Sequence, residues 1–236
     1  MLLGIAGFSN SGKTELVTSL VTALRGDGMS VATVKHVHEG ERLLPEGKDT
    51  TRHLEAGAAS STAVSSDSIV TYIHGEGALD EALVLVQGLS TPDVILVEGF
   101  KGSDIPKVVL GDAEAGGEIV ARGEGPQQVI EQALGYIRHS VSVERAFRQL
   151  AGFDCGKCGL PTCWEMAQQI ADGKASVSNC QSLSSGFVRI MADGHTVSVG
   201  PFVENIVSGS VVGMVRSLKG AENAASVIVE VRSAKK

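Results

Sequence analysis

Apolar residues in the first part of the chain fall into short unbroken runs and helical periodicities that alternate. Leu2 to Ala6 is a run of strand length, and Leu16, Val17, Leu20, Val21 and Leu24 then recur at the 3.6-residue period of an amphipathic helix. Ser30 to Val34 predicts a second strand. Asp93 to Val97, closing on Glu98, predicts another, and it is uniformly apolar, as a parallel strand covered on both faces must be. Pro106 to Leu110 and Glu118 to Ala121 read as short strands, Gln127 to His139 as a helix and Val143 to Leu150 as a second helix. Trp164 to Ala171 forms a further helical segment, ended by Gly173. Beyond it, Phe187 to Met191 and Thr196 to Val199 flank Asp193-Gly194 as a hairpin would. Phe202, Val203, Ile206, Val207, Val211, Met214, Val215 and Leu218 then take helical spacing, with the Met and Phe positions expected in a core, and Ser226 to Val231 predicts a closing strand. Together these predict an α/β protein with a three-layer sheet over residues 1–139, a cysteine segment over 140–185 and a small ββαβ unit over 186–236.

The connection after the first strand carries chemistry. It reads Gly7-Phe-Ser-Asn10-Ser11-Gly12-Lys13-Thr14, the G-x-x-x-x-G-K-[ST] pattern, placed between a strand and a helix. In that context loop amides and a helix N-terminus present partial positive charge to phosphate. Lys13 is expected to reach the β and γ phosphates and the Thr14 hydroxyl to ligate magnesium, with Gly7, Asn10, Ser11, Gly12 and Glu15 completing the nucleotide-binding set of a P-loop NTPase fold. Glu98, at a strand's carboxyl end, is the candidate second acidic residue near magnesium. Between these strands the stretches Val34 to Glu39 and Pro45 to Ala58 concentrate Lys35, His36, His38, Lys48, Asp49 and Arg52, as an anionic ligand site needs. Asp49 is available there to position metal or water, which pairs it with Glu98 as a catalytic candidate. The histidines lack the spacing of a zinc site.

Charge narrows the partners. The formal net charge is −7 and the lysines and arginines are scattered singly, so the basic footprint of a nucleic-acid binder is missing. The longest nearly uncharged stretch, Val199 to Val215, contains Glu204 and Asn205 and makes a poor hydrocarbon-spanning helix. No charged and apolar leader precedes the glycine loop, so a soluble, cytoplasmic protein with no membrane or nucleic-acid partner is expected. All 4 cysteines lie in one segment, Cys155, Cys158, Cys163 and Cys180, spaced C-x2-C-x4-C-x16-C. Packed together in a reducing compartment, they fit metal ligation better than disulfides. Four thiolates hold zinc or a [4Fe-4S] cluster. Zinc modules usually pair two short cysteine knuckles, whereas here the third and fourth cysteines stand alone, which favours iron. Gly156 and Gly159 let the backbone fold closely around a cluster.

Four motifs, in order, carry a family resemblance: Gly7 to Thr14, Val34-Lys35-His36-Val-His38, Pro45 to Ala58, and Leu96-Val97-Glu98-Gly99-Phe100-Lys101. Residues 1 to 138 resemble the molybdopterin-guanine dinucleotide biosynthesis protein B family, MobB. The resemblance implies a GTP-binding protein, at most a weak GTPase, that assists a MobA-type guanylyltransferase in converting molybdopterin into its guanine dinucleotide for molybdenum or tungsten apoenzymes. It further implies a homodimer, and a pterin or phosphate ligand held by Lys35, His36, His38, Lys48, Arg52 and Lys101. No Asn-Lys-x-Asp or Thr-Lys-x-Asp motif occurs, so preference for guanine rests on the resemblance alone. Cys155 to Cys180 resembles the four-cysteine [4Fe-4S] domain of corrinoid iron-sulfur proteins and electron-transport subunits. The reading is a GTP-binding, magnesium-dependent accessory protein with a fused cluster domain. Two readings stand beside it: a nucleotide-gated electron-transfer or cluster-carrier ATPase, and a binding module with a structural cluster, since no dedicated general base is evident.

Overall fold

The structure, a computed structural model, describes residues 1–37, 43–75, 77–183, 190–192, 195–197, 201–223 and 227–229. The chain divides into two compact units, Met1–Val141 and Ser142–Lys236.

In the first unit the elements run β1 (Leu2–Gly7), α1 (Lys13–Gly26), β2 (Val31–Lys35), α2 (Asp49–Glu55), β3 (Ser60–Val64), β4 (Ile69–Ile73), α3 (Leu79–Ser90), β5 (Val94–Glu98), β6 (Lys107–Leu110) and β7 (Ile119–Gly123), followed by α4 (Pro126–Gln149). Five strands form one parallel sheet in the order β2-β5-β1-β6-β7, which puts the strand feeding the glycine loop in the middle. Successive side chains on a strand point to opposite faces, and here both faces are covered. Leu3, Ile5, Val94, Leu96 and Val108 pack with Leu16, Leu20 and Leu24 of α1 and with Val129, Ala133 and Ile137 of α4. Ile95 and Val97 face the other way, where Leu79, Leu83 and Val86 of α3 meet them. The result is the expected three-layer α/β sheet.

Lys107 opens β6 and is fully buried. Its ammonium donates to three carbonyl oxygens, those of Ser103, Ile105 at 3.0 Å and Gly116 at 2.9 Å. Gly4, its register partner in β1, leaves room for the lysine stem, because a Cβ there would lie 2.8 Å from Lys107 Cγ. Burial pushes the Lys107 pKa down, with Asp104 opposing.

Three elements of this unit have no counterpart in the sequence reading: α2, the antiparallel β3–β4 hairpin and α3. Val64 and Ile69 of the hairpin are exposed, and in α3 the exposed Val84 and Leu89 blur the stripe of Leu79, Leu83 and Val86 that meets the sheet. A correction concerns α4. One continuous helix replaces the two expected, because its apolar stripe steps by only two residues from Val141 to Val143, which reads as a break while the backbone stays helical.

In the second unit, Val143, Ala146 and Leu150 gather Met166, Ala167, Cys163 and Cys180 into a separate core. Helix α5 (Cys163–Ala171) starts on a capping box: the Thr162 hydroxyl accepts from the Glu165 amide at 3.1 Å, and the Glu165 carboxylate accepts from the Thr162 amide at 3.3 Å. A single 3-10 turn, Val177–Asn179, leads to Cys180. Strands β8 (Ile190–Ala192) and β9 (His195–Val197) pair antiparallel, as the hairpin pattern predicts, while its Asp193-Gly194 turn and Phe187 to Arg189 lie outside the described residues. Helix α6 (Pro201–Arg216) also forms, but Phe202, Ile206 and Met214 are exposed, contrary to the expected core. Residues 227–229 carry no regular element, and the remainder of the expected closing strand lies outside the described residues.

Candidate functional site

The glycine loop leaves the carboxyl end of β1 and enters α1 through two left-handed residues, Asn10 at φ 61° and Gly12 at φ 90°. Gly12 has a second constraint, since a Cβ there would press on Pro126 at 3.0 Å. The first amides of α1 have no partner within the helix and so face any anion held by the loop. Lys13 curls back over the loop, donating to the carbonyl oxygens of Phe8 at 2.5 Å and Gly7 at 3.3 Å. Ser11 Oγ is buried without a hydrogen-bond partner, an orphan polar atom inside the cradle.

Parallel pairing aligns Ile5, Glu98 and Lys35 across three strands, which brings the strand ends to one cleft of about 1010 Å³. Glu98 is buried there. The Thr14 hydroxyl donates to its carboxylate at 3.3 Å, and the Lys35 ammonium lies 3.4 Å from it. A hydroxyl and a carboxylate placed together suit a hard divalent cation, so the donor set fits magnesium. Burial lowers the Lys13 pKa; Glu98 opposes this, while Lys101 and Lys35 add to it. The Lys101 ammonium sits 4.6 Å over the Phe8 ring, and His36 meets Phe100 with ring centroids 4.5 Å apart.

Gly7, Asn10, Gly12, Lys13, Thr14, Glu15, Lys35, His36, Glu98 and Lys101 all line this cleft, and Ser11 lies in the loop behind it. Lys48, Asp49 and Arg52 begin α2 and are not among the lining residues; Arg52 and Asp49 face each other at 3.9 Å, both exposed. His38 lies outside the described residues. Sequence reasoning assigned no role to Phe8 or Phe100, although each directly follows a site glycine, Gly7 and Gly99.

In the second unit all four cysteines are free, and all four line one cavity walled by Leu150, Leu160 and Met166. Cys155 is exposed, Cys158 half-buried, and Cys163 and Cys180 buried. Cys163 starts α5, and its amide donates to Asp154 Oδ1 at 2.5 Å. The Ser182 hydroxyl, 3.2 Å from Cys155 Sγ, holds that thiol below its usual range, helped by the Lys157 amide, whereas burial pushes the Cys163 thiol up. Among the described residues, no three His, Cys, Asp or Glu side chains converge as a single metal ion requires. A cluster takes its thiolates at separate irons, and four thiols around one partly apolar cavity fit that chemistry.

A parallel three-layer sheet with a lysine-bearing phosphate loop at its central strand defines a P-loop protein, here with an appended four-cysteine segment. A family model described as "Molybdopterin guanine dinucleotide synthesis protein B", MobB, matches residues 2–130. The chain belongs to the MobB family. A second model, described as "Putative Fe-S cluster", matches residues 150–182. A protein of Methanocaldococcus jannaschii, named "Putative molybdopterin-guanine dinucleotide biosynthesis adapter protein", is 28% identical over 236 residues, covering 98% of this chain and 97% of that protein. The molybdopterin-guanine dinucleotide biosynthesis adapter proteins of Haemophilus influenzae and Escherichia coli are each 37% identical over 46% of this chain, and the match spans 62% and 64% of their respective lengths. Among solved structures, Bacillus subtilis MobB superimposes over 54% of this chain and 82% of its own, at 26% identity and a TM-score of 0.45. No helix among the described residues is long and apolar enough to cross a membrane.

Proposed function

We propose that this chain is a GTP-binding adapter of molybdopterin guanine dinucleotide synthesis that carries a [4Fe-4S] cluster. The observation that carries the reading is the meeting of Lys13, Thr14 and Glu98 at the end of β1, in a chain whose full-length relative is named an adapter of that synthesis. Loop amides and Lys13 would hold the phosphates and Thr14 and Glu98 would hold magnesium, with Glu98 a carboxylate in the cleft for at most a slow hydrolysis, since Asp49 does not line it. Lys35, His36 and Lys101, which line the cleft, would serve the anionic ligand, molybdopterin or its guanine dinucleotide, while Lys48 and Arg52 lie outside its lining. The partner is a MobA-type guanylyltransferase, the recipients are molybdenum or tungsten apoenzymes, and the protein acts as a cytoplasmic homodimer. Cys155, Cys158, Cys163 and Cys180 bind the cluster, which supplies one-electron chemistry or a structural clasp.

Anaerobic purification with iron and zinc analysis, followed by calorimetry with GTP and ATP, tests both halves. The expected result is brown protein with about four irons per chain that prefers GTP in magnesium. Stoichiometric zinc would overturn the cluster, and equal affinity for ATP would overturn the guanine assignment.

A further inference from the structure

Cys180 joins the cysteine set from beyond α5, and the chain turns directly after it. The Leu183 amide donates to the Cys180 carbonyl at 3.2 Å, and both residues belong to the core of the second unit, Cys180 within it and Leu183 packed against it. A four-residue turn pinned at both ends leaves its third residue little freedom. That residue is Ser182, itself buried, and its hydroxyl lies 3.2 Å from Cys155 Sγ. Ser182 lines the cavity that the four cysteines share.

Among the described residues, Cys155 is the cysteine whose sulfur a side-chain hydroxyl reaches. The other donors are main-chain amides, that of Lys157 at Cys155 and those of Gly152, Phe153 and Asp154 at Cys163. Amides come with any loop folded tightly around a site, whereas a hydroxyl depends on one residue type. Cys155 is also the exposed member of the set, while Cys163 and Cys180 are buried. Its hydroxyl partner sits on a residue shielded from water, so solvent does not compete for that bond.

Loading fixes the direction of the bond. In the free thiol either group can be the donor. An iron-bound thiolate has no proton, so there the Ser182 hydroxyl donates and the Cys155 sulfur accepts. A hydrogen bond strengthens with the negative charge on its acceptor. One added electron on a cluster places part of its charge on the ligand sulfurs, so the Ser182 bond stabilises the reduced form over the oxidised one.

We infer that Ser182, acting through the Cys155 thiolate, raises the reduction potential of the cluster and so equips it for one-electron chemistry at the exposed corner of the site. The inference rests on the proposed reading of the four cysteines as [4Fe-4S] ligands and deepens it. Of the two roles named there, redox group and structural clasp, a hydrogen bond that discriminates between charge states serves the first.

The test is a potentiometric titration of the full chain, purified anaerobically, with a europium(II) chelate as the one-electron reductant and the EPR signal of the reduced cluster as the readout. Wild type, Ser182→Ala and Ser182→Thr are compared, with iron counted in each. Ser182→Ala is expected to shift the midpoint to more negative potential at unchanged iron content, and Ser182→Thr, which keeps the hydroxyl, to titrate with wild type. Equal midpoints in wild type and Ser182→Ala overturn the inference, as does a Ser182→Thr midpoint displaced as far as that of Ser182→Ala. Iron lost from Ser182→Ala but kept in the other two makes the hydroxyl a structural contact and overturns it as well. A wild-type cluster that the reductant leaves oxidised overturns the redox role. Wild-type protein that carries no iron overturns the cluster reading itself, and the inference falls with it.

Discussion

Replacing Lys107 by methionine keeps an unbranched side chain one heavy atom shorter and removes the charge from a fully buried site. Three carbonyl oxygens, of Ser103, Ile105 and Gly116, lose their donor. Leaving a buried acceptor unpaired costs roughly 1 to 3 kcal/mol, so the gross loss is about 3 to 9 kcal/mol. Against this stands the relief of no longer holding an ammonium away from water, itself worth several kcal/mol. The net is a destabilisation of about 3 kcal/mol, which for a unit of this size lowers Tm by roughly 10 °C. Calorimetry at pH 7 reads it. Titration supplies a second check. Folding pushes the Lys107 pKa below its ordinary 10.5, so between the folded value and 10.5 the unfolded chain binds the extra proton. Stability from this group is therefore lowest below the folded pKa and rises with pH through that window. The gap between wild type and variant should widen as pH approaches 10.5. A variant as stable as wild type at pH 7, or one with a parallel pH profile, would refute the account of Lys107 as a hydrogen-bonded buried cation.

Other expectations are quicker to state. Lys13→Ala should weaken GTP by about 2 to 3 kcal/mol, on the order of a hundredfold, in calorimetry, because a charge-assisted phosphate contact is lost. Glu98→Gln should flatten the magnesium dependence of nucleotide binding while retaining part of the affinity; an unchanged magnesium titration would remove Glu98 from the metal site. Cys180→Ser should cost the visible iron-sulfur absorbance while GTP binding in the first unit persists, since the two units have separate cores. In metal-free protein, Ser182→Ala should return the Cys155 pKa upward, slowing its alkylation near neutral pH; an unchanged pH–rate profile would exclude the 3.2 Å hydroxyl contact as the cause of the lowered value.

What could be read from the chain beforehand follows burial. Strands β1 and β5, the glycine loop and α1 are legible because a two-sided parallel sheet demands continuous apolar runs, and the loop demands its glycines and lysine. The β3–β4 hairpin exposes Val64 and Ile69, and in α3 the stripe of Leu79, Leu83 and Val86 is masked by the exposed apolar residues Val84, Leu85 and Leu89 between and beyond it. Helix α6 has the periodicity, yet exposes Phe202 and Met214; a pattern reports that a face is apolar, not what covers it. Lys107 is the least legible of all. A lysine opening a strand reads as solvated, and only Gly4 on the neighbouring strand hints at a side chain lying across it. At the site, Lys13, Thr14, Glu98 and Lys35 were visible as charged or hydroxylic residues at strand ends, whereas the pairing of His36 with Phe100 depends on a left-handed turn that an aromatic residue rarely adopts.

The capping box at Thr162 bears on what holds Cys163 in place. Many small metal modules are unfolded until the ion arrives, so folding and loading are one event. Here the helix that presents Cys163 closes its own first turn with Thr162 and Glu165, and Asp154 fastens the Cys163 amide beside Cys155, all through protein groups. The position of Cys163 is therefore set in part by Thr162, Glu165 and Asp154, and replacing any of them should disturb the cysteine segment even with all four thiols in place.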